Sequence, residues 1–214
     1  MISIIDRITV FRQLITTFLS RAGSAITSPR RLQKTSLCIS LMVALECFGQ
    51  SAYIHVKAVF AQFFVELAWH NAQRLGAPHK PWPWADAMPV AALSVPSLGI
   101  RQYVLNSHAG EALAFGPGMI TNEDARAPVR VLAGHRDTHF KFLEDVHPGM
   151  LFTLELLDGQ AINYRVIAHH VLDVRVDALP FEALESTLFL VTCYPFRAID
   201  HRGPLRYVLE ATEV

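Results

Sequence analysis

The pattern of apolar and polar residues divides the chain at about residue 90. Before that point the apolar residues form one long run, which peaks over residues 36–56 and continues with helical spacing to residue 75. A helix needs about 20 mainly apolar residues to cross the hydrocarbon core of a bilayer. The pattern therefore predicts a transmembrane anchor over residues 36–56, followed by a continuing helix.

After residue 90, short β-like runs are separated by turn signals. Asp158-Gly159 predicts a hairpin turn, and the helical stretches are brief, at 110–115, 140–146 and 181–185. Such spacing predicts an antiparallel barrel or sandwich. The runs lie at 90–95, 101–105, 129–135, 151–159, 162–174, 187–193 and 205–214.

The connection between the two regions is rich in residues that end helices. Gly76 predicts a helix end, and four prolines follow before residue 90, which cannot continue a helix. We interpret residues 57–89 as a juxtamembrane helix and linker, and residues 90–214 as the main domain. The helical part either lies in the membrane interface or packs on that domain. Trp82 and Trp84 either hold the linker on the domain surface or border a site.

Charge supports an orientation for the anchor. Residues 1–35 carry six basic side chains and one acidic side chain, and the positive-inside rule places such a segment in the cytoplasm. The later domain is then extracytoplasmic. Glu46 and Gln50 are polar positions within the span, so a cleaved signal peptide and a buried helical hairpin remain alternatives. Over the whole chain 19 basic residues balance 19 acidic ones, which does not favour a nucleic-acid partner.

The cysteines point to one site in the main domain. Cys38 and Cys47 fall in the predicted span, so Cys193 is the domain's single thiol. A catalytic thiol needs a neighbouring base or cation. His135 follows one β-run and Arg206 opens another, and residues at strand ends are well placed to form a site.

The motifs around these three residues resemble those of the sortases, which are membrane-bound cysteine transpeptidases. "LVTC" at 190–193 is similar to their Thr-Leu-x-Thr-Cys motif, with Leu190 in the place of the first threonine. "AGHRDTHF" resembles the histidine loop, and "LRYVLEA" the strand that carries the arginine. More specifically, the chain resembles the sortase class found in Gram-negative proteobacteria. The blocks that carry this resemblance are "KPWPWADAMPVA", "LAFGPG", "GHRDTHF" and "TCYPF".

This resemblance implies an eight-stranded β-barrel behind a single-pass anchor in the bacterial inner membrane, with the catalytic domain in the periplasm. It implies Cys193 as nucleophile, His135 as general acid and base, and Arg206 as the cation beside the reacting carbonyl. The implied partner is a secreted protein with a C-terminal signal related to Leu-Pro-x-Thr-Gly, whose acyl group passes to an amine. No cofactor or metal is expected.

Some roles remain open on the sequence alone. Thr192 either binds the substrate or holds its strand. Asp137 and His139 either orient the histidine or close its loop, and His139 is also a candidate second base. A cysteine peptidase that hydrolyses the same acyl-enzyme, an L,D-transpeptidase-like cell-wall enzyme and a membrane adaptor with an unreactive Cys193 are the alternative functions.

Overall fold

The structure is a computed structural model that describes residues 29–120, 128–177, 186–198 and 203–214, with residues 13, 16 and 17. The predicted helical stretch at 181–185 and most of the basic segment 1–35 lie outside the described residues. The chain divides into two compact units, Met1–Val56 and Lys57–Val214. One long helix, α1 (Pro29–Leu75), contributes to both.

In the first unit, α1 exposes large apolar side chains on all sides, such as Leu41, Leu45 and Phe48. Among the residues that the structure describes, α1 is the single helix long and apolar enough to cross a membrane. Its two polar residues are paired, because Nε2 of Gln50 donates to Oε1 of Glu46 at 3.1 Å.

In the second unit, α1 buries one stripe of small and apolar residues. The positions are Ala61, Val65, Ala68, Trp69 and Ala72, which lie on one face because they recur at helical spacing. Val65 packs with residues of the barrel domain, so this part of the helix is packed on the domain. The helix ends at Leu75, where Gly76 adopts a left-handed φ of 65°, as the sequence predicts.

The linker tryptophans have different environments. Trp82 is half-buried and meets the ring of Phe115 edge-on, with centroids 5.2 Å apart. Trp84 is 78% exposed. Trp82 therefore holds the linker on the domain.

Eight strands form a closed barrel in the order β1-β2-β3-β4-β7-β8-β6-β5, which confirms the expected fold. The seven predicted β-runs each overlap one strand. Short 3₁₀ turns at Ala112–Ala114 and Lys141–Asp145 match two predicted helical stretches, and a third lies at Pro96–Leu98. The strands are β1 (Pro89–Val95), β2 (Ile100–Leu105), β3 (Gly118–Met119), β4 (Val129–Ala133), β5 (Leu151–Leu156), β6 (Ala161–Asp173), β7 (Thr187–Cys193) and β8 (Leu205–Glu213).

Strand β3 has no counterpart in the sequence prediction. It is two residues long, so it shows no periodicity, and it pairs with β2 only at Leu105 and Gly118. A Cβ on Gly118 would lie 2.2 Å from the carbonyl oxygen of Ser107. The strand thus depends on a close backbone approach rather than on an apolar pattern.

The strand directions bring one end of each of three strands to the same rim of the barrel. β4 and β7 are parallel, so their C-terminal ends meet. β8 runs antiparallel to β7, so its N-terminal end lies at the same rim. The barrel interior below this rim is filled by apolar side chains, including Leu132, Leu190 and Leu209.

Candidate active site

Cys193 and Arg206 lie directly opposite each other at this rim. They form the last register pair between β7 and β8, and opposed residues in an antiparallel pair point to the same face. Cys193 is a free cysteine and, like Arg206, is partly exposed. A thiol and a guanidinium therefore share one patch of the outer barrel surface.

His135 comes to the same place from β4. The last β4–β7 pair joins Ala133 to Val191, and the backbone N–H of Gly134 continues the ladder by donating to the carbonyl of Val191 at 3.1 Å. His135 comes two residues after that pair, in the loop that follows β4. It thus leaves β4 at the rim where Cys193 ends β7 and Arg206 lies at the start of β8.

The alternation of side chains shows which face these residues share. Arg130 and Leu132 point inward, whereas Val131, Phe189, Val191 and Val208 form a separate apolar cluster on the outer face. Because alternate residues of a strand share a face, Cys193 and Arg206 belong to the outer series of β7 and β8. The four apolar side chains of that series are themselves buried.

The histidine loop is held at its start by Thr192. The Thr192 hydroxyl is buried and donates to the carbonyl of Gly134 at 2.7 Å. Thr192 has the opposite parity to Cys193, so its side chain lies on the inner face. Of the two roles considered from the sequence, this geometry supports the one in which Thr192 holds the strand.

Phe140 closes the same loop. Its backbone N–H donates to the carbonyl of His135 at 3.0 Å, and its ring is fully buried in the barrel core. A Cβ on Gly134 would lie 2.7 Å from that ring, so the close packing requires glycine. The loop is therefore short, internally bonded and anchored in the core.

Arg206 is oriented by the backbone of its own strand and the preceding loop. Nη1 donates to the carbonyl oxygens of Gly203 and Leu205, at 2.8 and 2.9 Å. Both bonds use the same nitrogen. The guanidinium is thus held against the backbone at the start of β8.

Arg136 is a residue of this site that the sequence analysis did not identify. It is 4% exposed, and its guanidinium donates to the carbonyl of Pro195 through Nη1 at 2.6 Å and to that of Ala198 through Nη2 at 2.9 Å. Arg136 lies in a turn three residues beyond the end of β4, so strand alternation does not mark it in the sequence.

Asp137 pairs with Arg136. The carboxylate accepts from Nε at 3.1 Å and from Nη2 at 3.3 Å, and its side chain is about half exposed. These contacts with Asp137 orient the arginine that follows the histidine.

His139 faces β2. Its Nδ1 lies 3.0 Å from Oε1 of Gln102, and its Nε2 lies 3.4 Å from the carbonyl of Ala114. Burial lowers the pKa of His139, the hydrogen bond to Ala114 opposes that shift, and the nearby His135 ring adds to it. His139 is therefore mainly neutral at neutral pH.

A cleft of about 320 Å³ lies beside the histidine loop. It is crossed by an ion pair in which Nε of Arg197 lies 3.1 Å from Oε1 of Glu144. The cleft is lined in part by Ile100, Gln102, Thr138, His139, Phe142 and Asp145.

Within the described part of the chain, no group of three or more His, Cys, Asp or Glu is arranged to hold a metal ion.

A thiol, an imidazole and a guanidinium thus come from strand ends at one rim of a closed barrel. A family model for the sortase domain matches residues 93–214. The chain belongs to the sortase family and is a cysteine transpeptidase of the sortase kind.

Solved sortase structures show the same fold. Sortase C-1 from Actinomyces oris is similar with a TM-score of 0.50 and 23% identity, over 59% of this chain and 74% of that one. Sortase A from Corynebacterium diphtheriae has a TM-score of 0.51 and 21% identity, over 61% and 63%. The pilus-related sortase C of Group B Streptococcus has a TM-score of 0.50 and 18% identity, over 59% and 67%. The search of curated protein sequences found no match.

Proposed function

We propose that this chain is a membrane-anchored sortase that cleaves a Leu-Pro-x-Thr-Gly-like C-terminal signal and transfers the acyl group to an amine. The observation that carries the proposal is the register pairing of Cys193 with Arg206, with His135 two residues beyond the end of the neighbouring strand β4. No other thiol among the described residues of the barrel unit competes for the nucleophile's role.

In the first half-reaction, the Cys193 thiolate attacks the carbonyl carbon of the Thr–Gly bond. The C–N bond then breaks, and the leaving amine takes a proton from the imidazolium of His135. The product is a thioester between Cys193 and the threonine carbonyl. In the second half-reaction the acceptor amine attacks this thioester, His135 takes its proton, and the thiolate leaves.

Arg206 serves the carbonyl oxygen in both halves. An oxyanion forms twice, and a guanidinium cannot act as a base because it stays protonated. With Nη1 bonded to backbone carbonyls, Nε and Nη2 are the donors that we assign to the substrate. Preorganised donors of this kind usually contribute about 10²–10³ in rate.

The anchor places the reaction at a membrane surface. The exposed apolar segment of α1 and the basic residues before it support a single-pass inner-membrane protein with a cytoplasmic N-terminus and a periplasmic barrel. A periplasmic reporter fused after Val214 should be active, and a cytoplasmic reporter at the same point should be inactive. The opposite pattern would reverse the orientation.

Product analysis tests the proposed reaction and separates it from peptide hydrolysis. The full-length protein is incubated with a Leu-Pro-x-Thr-Gly peptide, with and without triglycine as acceptor. We expect a joined product that increases with triglycine at the expense of the free acid. Free acid at every triglycine concentration would instead indicate a peptidase. Cys193→Ala should abolish both products, and Cys38→Ala and Cys47→Ala are its matched controls that should keep activity.

A further inference from the structure

Arg136 connects two loops that carry the two reacting groups. It follows His135 directly, and its guanidinium donates to the carbonyls of Pro195 and Ala198, which lie two and five residues beyond Cys193. The side chain is buried, whereas its carboxylate partner Asp137 is half exposed. The guanidinium therefore spans from the histidine loop to the loop after the cysteine, below the exposed surface of the site.

We propose that Arg136 is the positioning residue that sets the separation of His135 and Cys193. The proposal rests on the roles assigned above to the imidazole and the thiol. Arg136 does not act on the substrate in this scheme. It fixes the loop after β7 against the loop after β4, so that the proton donor and the nucleophile stay in register beyond the end of the strand ladder.

In the described part of the loop after Cys193, two other polar contacts lead elsewhere. The backbone N–H of Tyr194 donates to the carbonyl of Leu205 in β8. This bond ties the loop to β8, whereas the histidine loop follows β4 on the opposite side of β7. Arg197 pairs with Glu144, but the arginine side chain is 80% exposed, and exposed ion pairs contribute little. Arg136 provides the buried connection.

Arginine is required for its shape. Its planar guanidinium donates to the Asp137 carboxylate through Nε and to two backbone carbonyls through Nη1 and Nη2. Five N–H donors in fixed directions allow these bonds to form together. A lysine ammonium is a point donor on a flexible stem, so it preserves the charge but cannot hold both carbonyls and the carboxylate together.

A disulfide between positions 135 and 193 measures the separation without any substrate. Neighbouring strand residues are close enough for such a bond when their Cα atoms lie about 4.4–6.8 Å apart. In the full-length His135→Cys protein, equilibration with glutathione gives the effective concentration of the two thiols, and mass spectrometry identifies the 135–193 bond. Because this readout needs no catalysis, it can fail or succeed independently of the proposed function.

The barrel offers a matched control in Arg130. Arg130 is also a buried arginine with 4% exposure, but it lies within β4 and binds Tyr164 and Ser186 near the other end of the strand. In the His135→Cys background, Arg136→Met should lower the effective concentration by about tenfold or more. Arg130→Met should lower the melting temperature without this loss.

Arg136→Lys keeps the buried charge and serves where Arg136→Met does not fold. We expect an intermediate decrease in effective concentration, and in the His135 protein a lower kcat with an unchanged KM, since Arg136 does not contact the substrate. An effective concentration within twofold of the parent in a folded Arg136 variant would overturn the proposal. An equal loss in Arg130→Met would overturn it as well, because the effect would then follow stability alone.

Discussion

The substitution Thr192→Val distinguishes the two roles considered for Thr192. Valine has nearly the shape of threonine but lacks the hydroxyl that donates to the Gly134 carbonyl at 2.7 Å. Thr192 is 3% exposed, so water does not readily replace the lost donor. The Gly134 carbonyl is the backbone group immediately before His135.

The expected magnitude follows from this burial. A buried acceptor that loses its donor costs about 1–3 kcal/mol. For a domain of this size, 1 kcal/mol corresponds to about 2–4 °C in melting temperature. We therefore expect Thr192→Val to melt about 4–8 °C lower for a middle value of about 2 kcal/mol, with a reduced acyl-transfer rate because the histidine loop loses one of its ties.

The assay is thermal unfolding together with acyl-transfer kinetics, with Thr192→Ser as the control that keeps the hydroxyl. The serine variant should retain most of the rate and lose less stability than the valine variant. A valine variant with an unchanged melting temperature and a raised KM would refute the reasoning. That result would assign the hydroxyl to the substrate.

Three further predictions test other parts of the site. Gly134→Ala should lower the melting temperature, because its Cβ would lie 2.7 Å from the Phe140 ring and overpacking lowers the free energy of unfolding by about 1–3 kcal/mol. In Gly110→Ala the new Cβ would meet nothing within 4 Å, so this control should be neutral. The pKa of His139 is lowered in the folded protein, so its contribution to stability is present above about pH 6.5 and is lost as the pH falls. His139→Gln should therefore reduce the loss of melting temperature between pH 7.5 and 5.5. An unchanged loss would contradict this. Arg206→Lys should lose about 10²–10³ in rate at a nearly unchanged melting temperature, and a near-wild-type rate would remove Arg206 from the mechanism.

The sequence predicts the chemistry of the site better than its arrangement. Cys193, His135 and Arg206 each stand at the end or start of an apolar β-run, so their placement at strand ends follows from local patterns. The parallel pairing of β4 with β7 connects residues about 58 positions apart, and no local periodicity encodes such a long-range register. The resemblance to sortases supplied that arrangement.

The supporting contacts depend on the folded chain. Thr192 and Arg136 act on backbone carbonyls of Gly134, Pro195 and Ala198, and every residue has such a carbonyl, so the sequence does not mark the acceptors. Thr192 is the more visible donor, since it is a polar residue in the inward series at the end of β7. Arg136 lies in a turn beyond β4, where strand alternation gives no signal.

The most direct test of the central account is the location of the acyl-enzyme. The full-length protein is mixed with a Leu-Pro-x-Thr-Gly peptide in the absence of an acceptor amine, quenched in acid and digested for mass spectrometry. The account predicts a thioester at Cys193 that carries the peptide up to its threonine, that is absent in Cys193→Ala, and that disappears when triglycine is added. Turnover retained by a folded Cys193→Ala protein, or an acyl group on a different residue, would contradict it.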